Sequence, residues 1–253
     1  MERYRHWLAL KQVAGVGNVL YKRLIDRFGT PEGVFQAGEK ALLSVEGISP
    51  DTAREIGAFS HFKEVDRELE KIIKGGISLV SLHDPDYPSL LAVIYDPPPF
   101  LYVQGRCLQS EFFPMAIVGS RKPTHYGVTV AERFGREMAE RGMTVVSGFA
   151  RGIDAAAHRA VLAAGGRTIA VLGSGIDRIY PREHRSLFDE IAERGAVLSE
   201  FPMGAAPEAH HFPQRNRIIG GLSVGCLVVE ATVESGSLIT ARLALEQGRE
   251  VFA

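Results

Sequence analysis

Residues 115–153 read MAIVGSRKPTHYGVTVAERFGREMAERGMTVVSGFARGI, and this stretch decides the fold. An apolar run over 115–119 is followed by a Gly-led turn and a long amphipathic pattern, and a second apolar run over 143–147 starts the scheme again. Two strand–helix units in succession predict a parallel, doubly wound α/β sheet. In such sheets the loops that leave the carboxyl ends of the strands form the binding crevice.

The same alternation continues to the end of the chain. It predicts strands at 115–119, 143–147, 168–173, 196–200, 224–230 and 249–253. It predicts helices near 127–141, 154–164, 183–194, 213–221 and 236–247. The runs ISLVSL and FLYVQG ahead of this core predict two further strands that widen the sheet. The chain stops inside a strand pattern at Ala253, so we expect that a C-terminal piece is missing.

The N-terminal part has a different organisation. Residues 1–72 contain short helical patterns joined by glycine-containing turns, which predicts a small all-helical domain ahead of an α/β domain over 75–253. The turns Gly15-Val16-Gly17 and Gly47-Ile48-Ser49 are similar to those of helix-hairpin-helix modules, whose backbone N–H groups meet DNA phosphates. Tight turns within a helical bundle explain the same glycines equally well.

Composition sets limits on the function. The chain has 253 residues, 45% of them hydrophobic, and a formal net charge of −1. A typical duplex-DNA-binding domain is basic overall, so any nucleic-acid contact must come from cations placed locally. The N-terminus has no secretory signal pattern, and we expect a cytoplasmic protein without membrane segments. Cys107 and Cys226 lie far apart and predict neither a disulfide nor a metal site, and Cys226 is expected to be a small buried thiol.

Cations are concentrated in the loops that leave the strands. The loops GSRKPTHYG, SGFARGID, GSGIDRIYPREHR and SEFPMGAAPEAHHFPQRNR hold Arg121, Lys122, Arg151, Arg178, Arg182, Arg185, Arg215 and Arg217. Because the carboxyl ends of parallel strands share one edge, these cations can raise the local potential although the whole chain is nearly neutral. The segment Gly119-Ser120-Arg121 suits a phosphate. The glycine lets the phosphate approach the backbone, the serine offers a hydroxyl, and the arginine can bind the phosphate through two hydrogen bonds.

Other motifs are weaker. The chain lacks GxGxxG and GxxxxGK[ST], so a dinucleotide or triphosphate site is not predicted. Phe212 precedes Arg215 and Arg217 and is expected either to stack a base or to pack in the core.

Asp154 is interpreted as a helix N-cap. The spacing of His125, His158, His184, His210 and His211 predicts neither a zinc site nor a triad, so solvated or capping histidines are expected.

A series of motifs resembles the DNA-processing protein A (DprA/Smf) family. They are IVGSR, VVSGFARGIDAAAHR, TIAVLGSGIDRIYPREHR, LSEFP, FPQRNRIIGGLS and VVEATVESGSLITARLALEQGREVFA, in the order of the family and within residues 78–253. Met203 departs from this pattern, since the family often has proline there. Arg182 stands where relatives often have lysine.

The resemblance implies an extended Rossmann-like fold and a protein of natural transformation without catalytic residues, metal or cofactor. Such a protein binds and protects incoming single-stranded DNA, helps load the RecA recombinase and forms a homodimer through the Rossmann-like domain. Many members carry a winged-helix-like domain after this core. The DNA-binding residues expected here are Gly119, Ser120, Arg121, Lys122, Ser147, Gly148, Arg151, Gly152, Arg182, Phe212, Arg215, Asn216 and Arg217.

Two other functions remain open at this point. A nucleotide phosphoribohydrolase-like enzyme acting on nucleoside monophosphates has a similar fold and would use Arg121 for phosphate and Glu230 as its catalytic carboxylate. Such enzymes carry a PGGxGT loop, where this chain has ESGSLIT. Because function depends on the site rather than the fold, this difference argues against the enzyme. A protein-interaction platform with incidental cations is the third possibility.

Overall fold

A computed structural model describes residues 2–105, 113–233 and 235–253 of the chain, so Cys107 lies outside the described residues. The chain divides into two compact units. The first comprises Met1–Leu82 with Tyr95–Phe100, and the second comprises His83–Ile94 with Leu101–Ala253. Among the described residues, no helix is both long and apolar enough to cross a membrane.

The first unit is helical, with one short strand near its end. After a 3-10 turn at Glu2–Tyr4 its elements are α1 (Arg5–Gln12), α2 (Asn18–Phe28), α3 (Pro31–Gln36), α4 (Glu39–Leu42), α5 (Pro50–Ala58), α6 (Phe62–Lys74) and β1 (Ser78–Ser81). Trp7 of α1 stacks on Tyr21 of α2 at 5.7 Å between ring centroids. The Tyr21 hydroxyl donates to the Trp7 carbonyl at 3.0 Å, which satisfies its polar end within the core.

The two glycine turns of the first unit adopt similar conformations. Gly15 and Gly47 both have positive φ, at 83° and 86°, and each turn leads into a helix, α2 or α5. Ser49 accepts the Thr52 N–H at 3.1 Å and caps α5, while the α2 N-cap, Gly17, has no side chain to do this. The positive φ of the two glycines is compatible with both interpretations, helix-hairpin-helix turns and tight turns of a helical bundle.

The second unit alternates strands and helices, as the sequence predicts. Its elements are α7 (Ser89–Ala92), β2 (Phe100–Gly105), β3 (Pro114–Gly119), α8 (His125–Glu140), β4 (Thr144–Ser147), α9 (Ile153–Ala163), β5 (Thr168–Val171), a 3-10 turn (Arg182–His184), α10 (Arg185–Arg194), β6 (Ala196–Ser199), α11 (His211–Gly221), β7 (Gly225–Val229), α12 (Gly236–Glu246) and β8 (Glu250–Phe252). Each predicted strand and helix of the α/β core is confirmed within a few residues.

The strands of the second unit lie in the order β2-β6-β5-β4-β3-β7-β8. Only β2 runs antiparallel to its neighbour, β6, and the other pairs are parallel. Strands β3, β4, β5 and β6 follow one another across the sheet in one direction. Strands β7 and β8 lie on the opposite side of β3. This reversal confirms the Rossmann-like, doubly wound sheet and places a topological switch point between β3 and β7.

The main core of the second unit lies between the sheet and the helices α8 and α9. Ile117, Val145 and Leu227 from the strands meet Ala131 and Val161 from the helices. A Cβ on Gly135 would lie 3.0 Å from the Ala157 carbonyl oxygen, so this glycine lets α8 approach α9 closely. The fully buried Cys226 confirms the predicted buried thiol, and burial raises its pKa to about 12.

Two histidines, His158 and His184, are buried rather than solvated. The expectation of a solvated or capping histidine is wrong for His158, which lies within α9. His184 is the N-cap residue of α10, although its side chain makes no capping hydrogen bond. His158 is fully buried beside Phe149, and His184 meets the same ring edge-on at 5.3 Å. Thr168 Oγ1 donates its hydrogen to the Val145 carbonyl at 2.8 Å, so it accepts a hydrogen bond from the Nδ1–H group of His158, at 2.7 Å. Burial lowers the pKa of His158 to about 3, with His184 and Arg215 adding to the shift.

We expect acid to destabilise the second unit through His158. The pKa of this histidine falls from about 6.5 in the unfolded chain to about 3 in the folded protein, so below pH 6.5 only the unfolded chain takes up the proton. The free energy of unfolding should drop by about 1 to 2 kcal/mol between pH 6.5 and pH 5. Urea titrations over this range should show a smaller drop for His158→Asn, whereas the exposed His61→Asn should leave the pH profile unchanged.

Candidate functional site

A cavity of about 540 Å³ lies at the switch point, between the loops after β3 and β7. Its walls come from the β3 loop, the start of α11 and the start of α12. They include Gly119, Ser120, Arg121, Lys122, Asp154, Phe212, Arg215, Asn216, Thr232, Ser235, Ser237 and Thr240. This is the place where open α/β sheets bind ligands, and the volume falls within the range of small-molecule sites.

Close backbone packing holds the β3 loop in position. A Cβ on Gly119 would collide with the Val229 carbonyl oxygen, and one on Gly152 would collide with the Ser120 carbonyl oxygen. The Ser120 N–H donates to the Glu230 carbonyl at 2.9 Å, and the Ile153 N–H donates to the Ser120 carbonyl at 3.1 Å. Glycine at 119 and 152 therefore lets three chain segments meet and fixes where the Arg121 backbone leaves the sheet.

Arg121 and Lys122 are exposed at the mouth of this cavity. The Arg121 guanidinium carbon lies 5.4 Å from the centroid of the Phe212 ring, a distance typical of a cation–π contact. Among the residues that the structure describes, neither cation has a carboxylate within ion-pair distance. Both charges are therefore available to an anionic ligand. Phe212 lines the cavity and is half-buried, so its ring partly packs in the protein and partly faces the cavity, where a base could stack.

Arg215 and Asp154 form the buried floor of the site. The Arg215 side chain is 3% exposed and donates to the carbonyl oxygens of Gly148 and Val171. Asp154 is the second residue of α9, with Gly152 as N-cap, so the predicted N-cap role is wrong. Its carboxylate instead accepts the Ala150 N–H at 3.2 Å. Burial raises the pKa of Asp154 and lowers that of Arg215 to about 10, while each charge opposes the shift of the other.

Three of the predicted cations do not line this cavity. Arg151 is exposed and pairs with Glu183 at 2.5 Å, and Arg182 is exposed on the 3-10 turn. Arg217 is 8% exposed and pairs with Glu200 at 2.5 Å. Residues two apart on an α-helix do not face each other, so Arg217 cannot share the orientation of Arg215. The structure thus brings Arg121, Lys122 and Arg215 together and directs Arg217 elsewhere.

The small and polar residues of the predicted set have different surroundings. Asn216 lines the cavity and donates to the Gly236 carbonyl at 3.3 Å. Ser147 is fully buried and donates to the Ile117 carbonyl at 2.6 Å, so it ties β4 to β3. Gly148 has Asp154 and Arg215 beside its Cα, where a Cβ would lie within 3 Å of both side chains. Ser147 therefore supports the site without lining it, while Gly148 lines a smaller neighbouring cavity.

A group of hydroxyls lines the cavity beside the start of α12. The sequence already favours an anion near the helix start at Ser235-Gly236-Ser237, although the expected DNA-binding residues do not include this group. Thr232, Ser235, Ser237 and Thr240 line the cavity at the start of α12. The Ser235 and Ser237 hydroxyls lie 2.6 Å apart, and Ser235 caps the helix through the Ser237 N–H at 3.4 Å. The repeated hydroxyls of the segment ATVESGSLIT, next to a helix start, are the sequence signal for this wall.

Glu230 does not line the cavity. Its carboxylate accepts the Thr124 backbone N–H at 2.7 Å and the Thr124 hydroxyl at 2.6 Å. A Cβ on Gly127 would collide with the same carboxylate, so the first turn of α8 packs directly against it. Glu230 thus connects the β7 loop to the start of α8, which is a structural role and not that of a catalytic carboxylate.

His210 is the N-cap residue of α11, and His211 is the first residue of that helix. His210 is 3.4 Å from Glu208, and His211 stacks on Phe201 at 4.0 Å between centroids. Donor atoms from Glu208, His210 and His211 lie within 4.8 Å of one another, close enough to share a metal ion. The sequence predicts no metal here, and contacts within the protein account for each of these side chains.

The sequence matches the family model described as "DNA recombination-mediator protein A" over residues 78–253. The chain belongs to this family. Its most similar relatives include Protein Smf of Synechocystis, 44% identical over 98% of this chain and 63% of the relative. DNA processing protein DprA of Bacillus subtilis is 45% identical over 76% of this chain and 65% of the relative. The chain thus spans just under two thirds of the length of these family members.

Solved structures of the family have the same fold. The crystal structure of DNA processing protein A from Streptococcus pneumoniae matches all of this chain and 86% of its own, with a TM-score of 0.83 at 35% identity. The Helicobacter pylori protein, whose structural study concerns its single-stranded DNA binding mode, matches 69% of this chain and 79% of its own, with a TM-score of 0.63 at 31% identity. Residues 8–56 match a separate SAM-like helix-hairpin-helix tandem, which agrees with the paired glycine turns.

Proposed function

We propose that this chain binds single-stranded DNA without catalysing a reaction on it. It would act in the cytoplasm during natural transformation, protect incoming DNA and help load the RecA recombinase. It would act as a homodimer joined through the second unit. Exposed apolar side chains at the end of that unit, on Leu238, Leu245 and Phe252, support such a contact.

The observation that carries the proposal is the placement of Arg121. A guanidinium that lies over the Phe212 ring at the mouth of a cavity combines a phosphate clamp with a surface on which a base can stack. Lys122 adds a second charge at the same mouth, and the Gly119 and Ser120 backbone lines the cavity beside them. These groups recognise the sugar–phosphate chain and the flat face of a base, features that single strands expose whatever their sequence.

The proposal predicts binding that depends on salt and on the form of the DNA. If Arg121 and Lys122 each neutralise a phosphate, the logarithm of the affinity should fall with that of salt concentration with a slope of about −1.4, since each phosphate of a single strand contributes about −0.7. Threefold more salt should then weaken binding about fivefold. Fluorescence anisotropy with a labelled single strand and the matching duplex at two salt concentrations measures this, and the single strand should bind more tightly.

Two outcomes would contradict the proposal. Absent or salt-independent binding would favour a protein-interaction platform whose surface cations are incidental. Release of free base from nucleoside monophosphates would instead favour the phosphoribohydrolase-like enzyme. The Glu230 carboxylate argues against the second outcome, because its hydrogen bonds go to Thr124 and it does not line the cavity.

A further inference from the structure

A second cavity of about 170 Å³ adjoins the first. The two cavities share part of their walls, namely Arg121, Lys122, Ala150, Phe212 and Arg215. Arg151 and Tyr180 line the second cavity but not the first. Its volume lies below the range of about 300 to 1,000 Å³ found for sites that enclose a whole small molecule. It therefore suits a single flat group better than a complete nucleotide.

Phe212 is one of the residues that line both cavities. A Cβ on Gly173 would lie 2.8 Å from Phe212 Cδ1, so the glycine after β5 gives the ring space to pack against the end of the strand. The Arg121 guanidinium lies over the same ring. Phe212 therefore contacts both a strand end and the cation at the mouth of the cavities.

Tyr180 forms the aromatic wall of the second cavity. Its ring lies 5.9 Å from that of Phe212 at an interplanar angle of 47°, so the two rings do not stack on each other. The residue remains 44% exposed, which leaves ring surface open to a ligand. Tyr180 is also close to Arg151, whose pKa is raised mainly by its hydrogen bond to Glu183 and to a smaller extent by Tyr180. An aromatic surface beside a cation is the arrangement that binds successive bases of a single strand.

We propose that the second cavity binds the base next to the nucleotide held in the first cavity, with Tyr180 as its stacking surface. This inference rests on the proposed function. A phosphate held by Arg121 and Lys122 lies at the mouth of both cavities, so the nucleotides on its two sides can each place a base in one of them. Because every base has a flat face, stacking on Tyr180 contributes affinity without selecting a sequence.

Substitutions at Tyr180 test the role of its ring. Tyr180→Leu should weaken binding of an oligothymidylate about fivefold to tenfold, the lower part of the range for removing an aromatic that stacks a base. Tyr180→Phe keeps the ring and should bind within about twofold of the wild type. Tyr126→Leu is the matched control, because this tyrosine is 78% exposed on α8 and lines neither cavity. Irradiating the wild-type complex with an oligonucleotide that contains 5-iododeoxyuridine should give an adduct that maps to Tyr180.

The outcomes separate this inference from the proposed function. If the wild type binds and Arg121→Ala does not, while Tyr180→Leu binds like the wild type, the second base site is wrong and the proposed function is retained. Equal losses in Tyr180→Leu and Tyr180→Phe would also overturn the inference, because the hydroxyl and not the ring would then matter. If the wild type binds no single-stranded DNA, both proposals fail.

Discussion

Replacement of Arg121 by alanine is expected to weaken binding of a single-stranded oligonucleotide about tenfold to a hundredfold, the range for losing a hydrogen bond that involves a charged group. Two effects add at this position. The phosphate loses its clamp, and the Phe212 ring loses the cation that lies over one face. The slope of log affinity against log salt should become shallower by about one phosphate contact. Anisotropy titrations at three or more salt concentrations measure both quantities.

Two matched variants make this result specific to the site. Arg133→Ala removes the same charge from the same unit, but Arg133 is exposed on α8, pairs with Glu137 and lines neither cavity. Its affinity should match that of the wild type. Arg121→Lys keeps the charge without the planar fork, so it should recover the salt slope more fully than the affinity. If Arg133→Ala and Arg121→Ala lose affinity equally, net charge and not the cavity determines binding.

The sheet was predictable from sequence because its signals are local. The apolar run over 115–119, the turn that follows and the amphipathic segment after it each indicate one element, and right-handed connection then fixes the side on which the helices lie. The loops at the strand ends follow from that order, whereas the grouping of Arg121 with Phe212 in one pocket is expected from the family resemblance. Chain connectivity alone therefore predicts which loops share an edge.

The orientation of individual side chains was harder to predict. Arg215 and Arg217 share one motif, QRNR, yet one forms the floor of the cavity and the other pairs with Glu200. The sequence contains the cause, a separation of two residues on a helix, but the partner of Arg217 comes from a distant loop. His158 and His184 carry no local sign of burial either, because the ring that both contact, Phe149, lies in a different loop.

Replacement of Arg215 by methionine should lower the free energy of unfolding by about 2 to 6 kcal/mol, because two buried carbonyl oxygens lose their donor and each loss costs about 1 to 3 kcal/mol. These oxygens belong to Gly148 and Val171, and the buried Asp154 would also lose the favourable electrostatic effect of the Arg215 charge. Urea unfolding followed by circular dichroism measures the loss.

The double variant Arg215→Met with Asp154→Asn shows whether charge is the cause. Asparagine can still accept the Ala150 N–H, but it leaves no unpaired charge in the interior. The double variant should therefore be about 1 to 3 kcal/mol more stable than the sum of the single changes implies. Arg185→Met, at an exposed arginine paired with Asp189, controls for loss of a surface ion pair and should change little. If the changes in unfolding free energy of the two single variants simply add in the double variant, the two unpaired carbonyls, and not Asp154, cause the loss in Arg215→Met. The buried floor would then depend on hydrogen bonding alone.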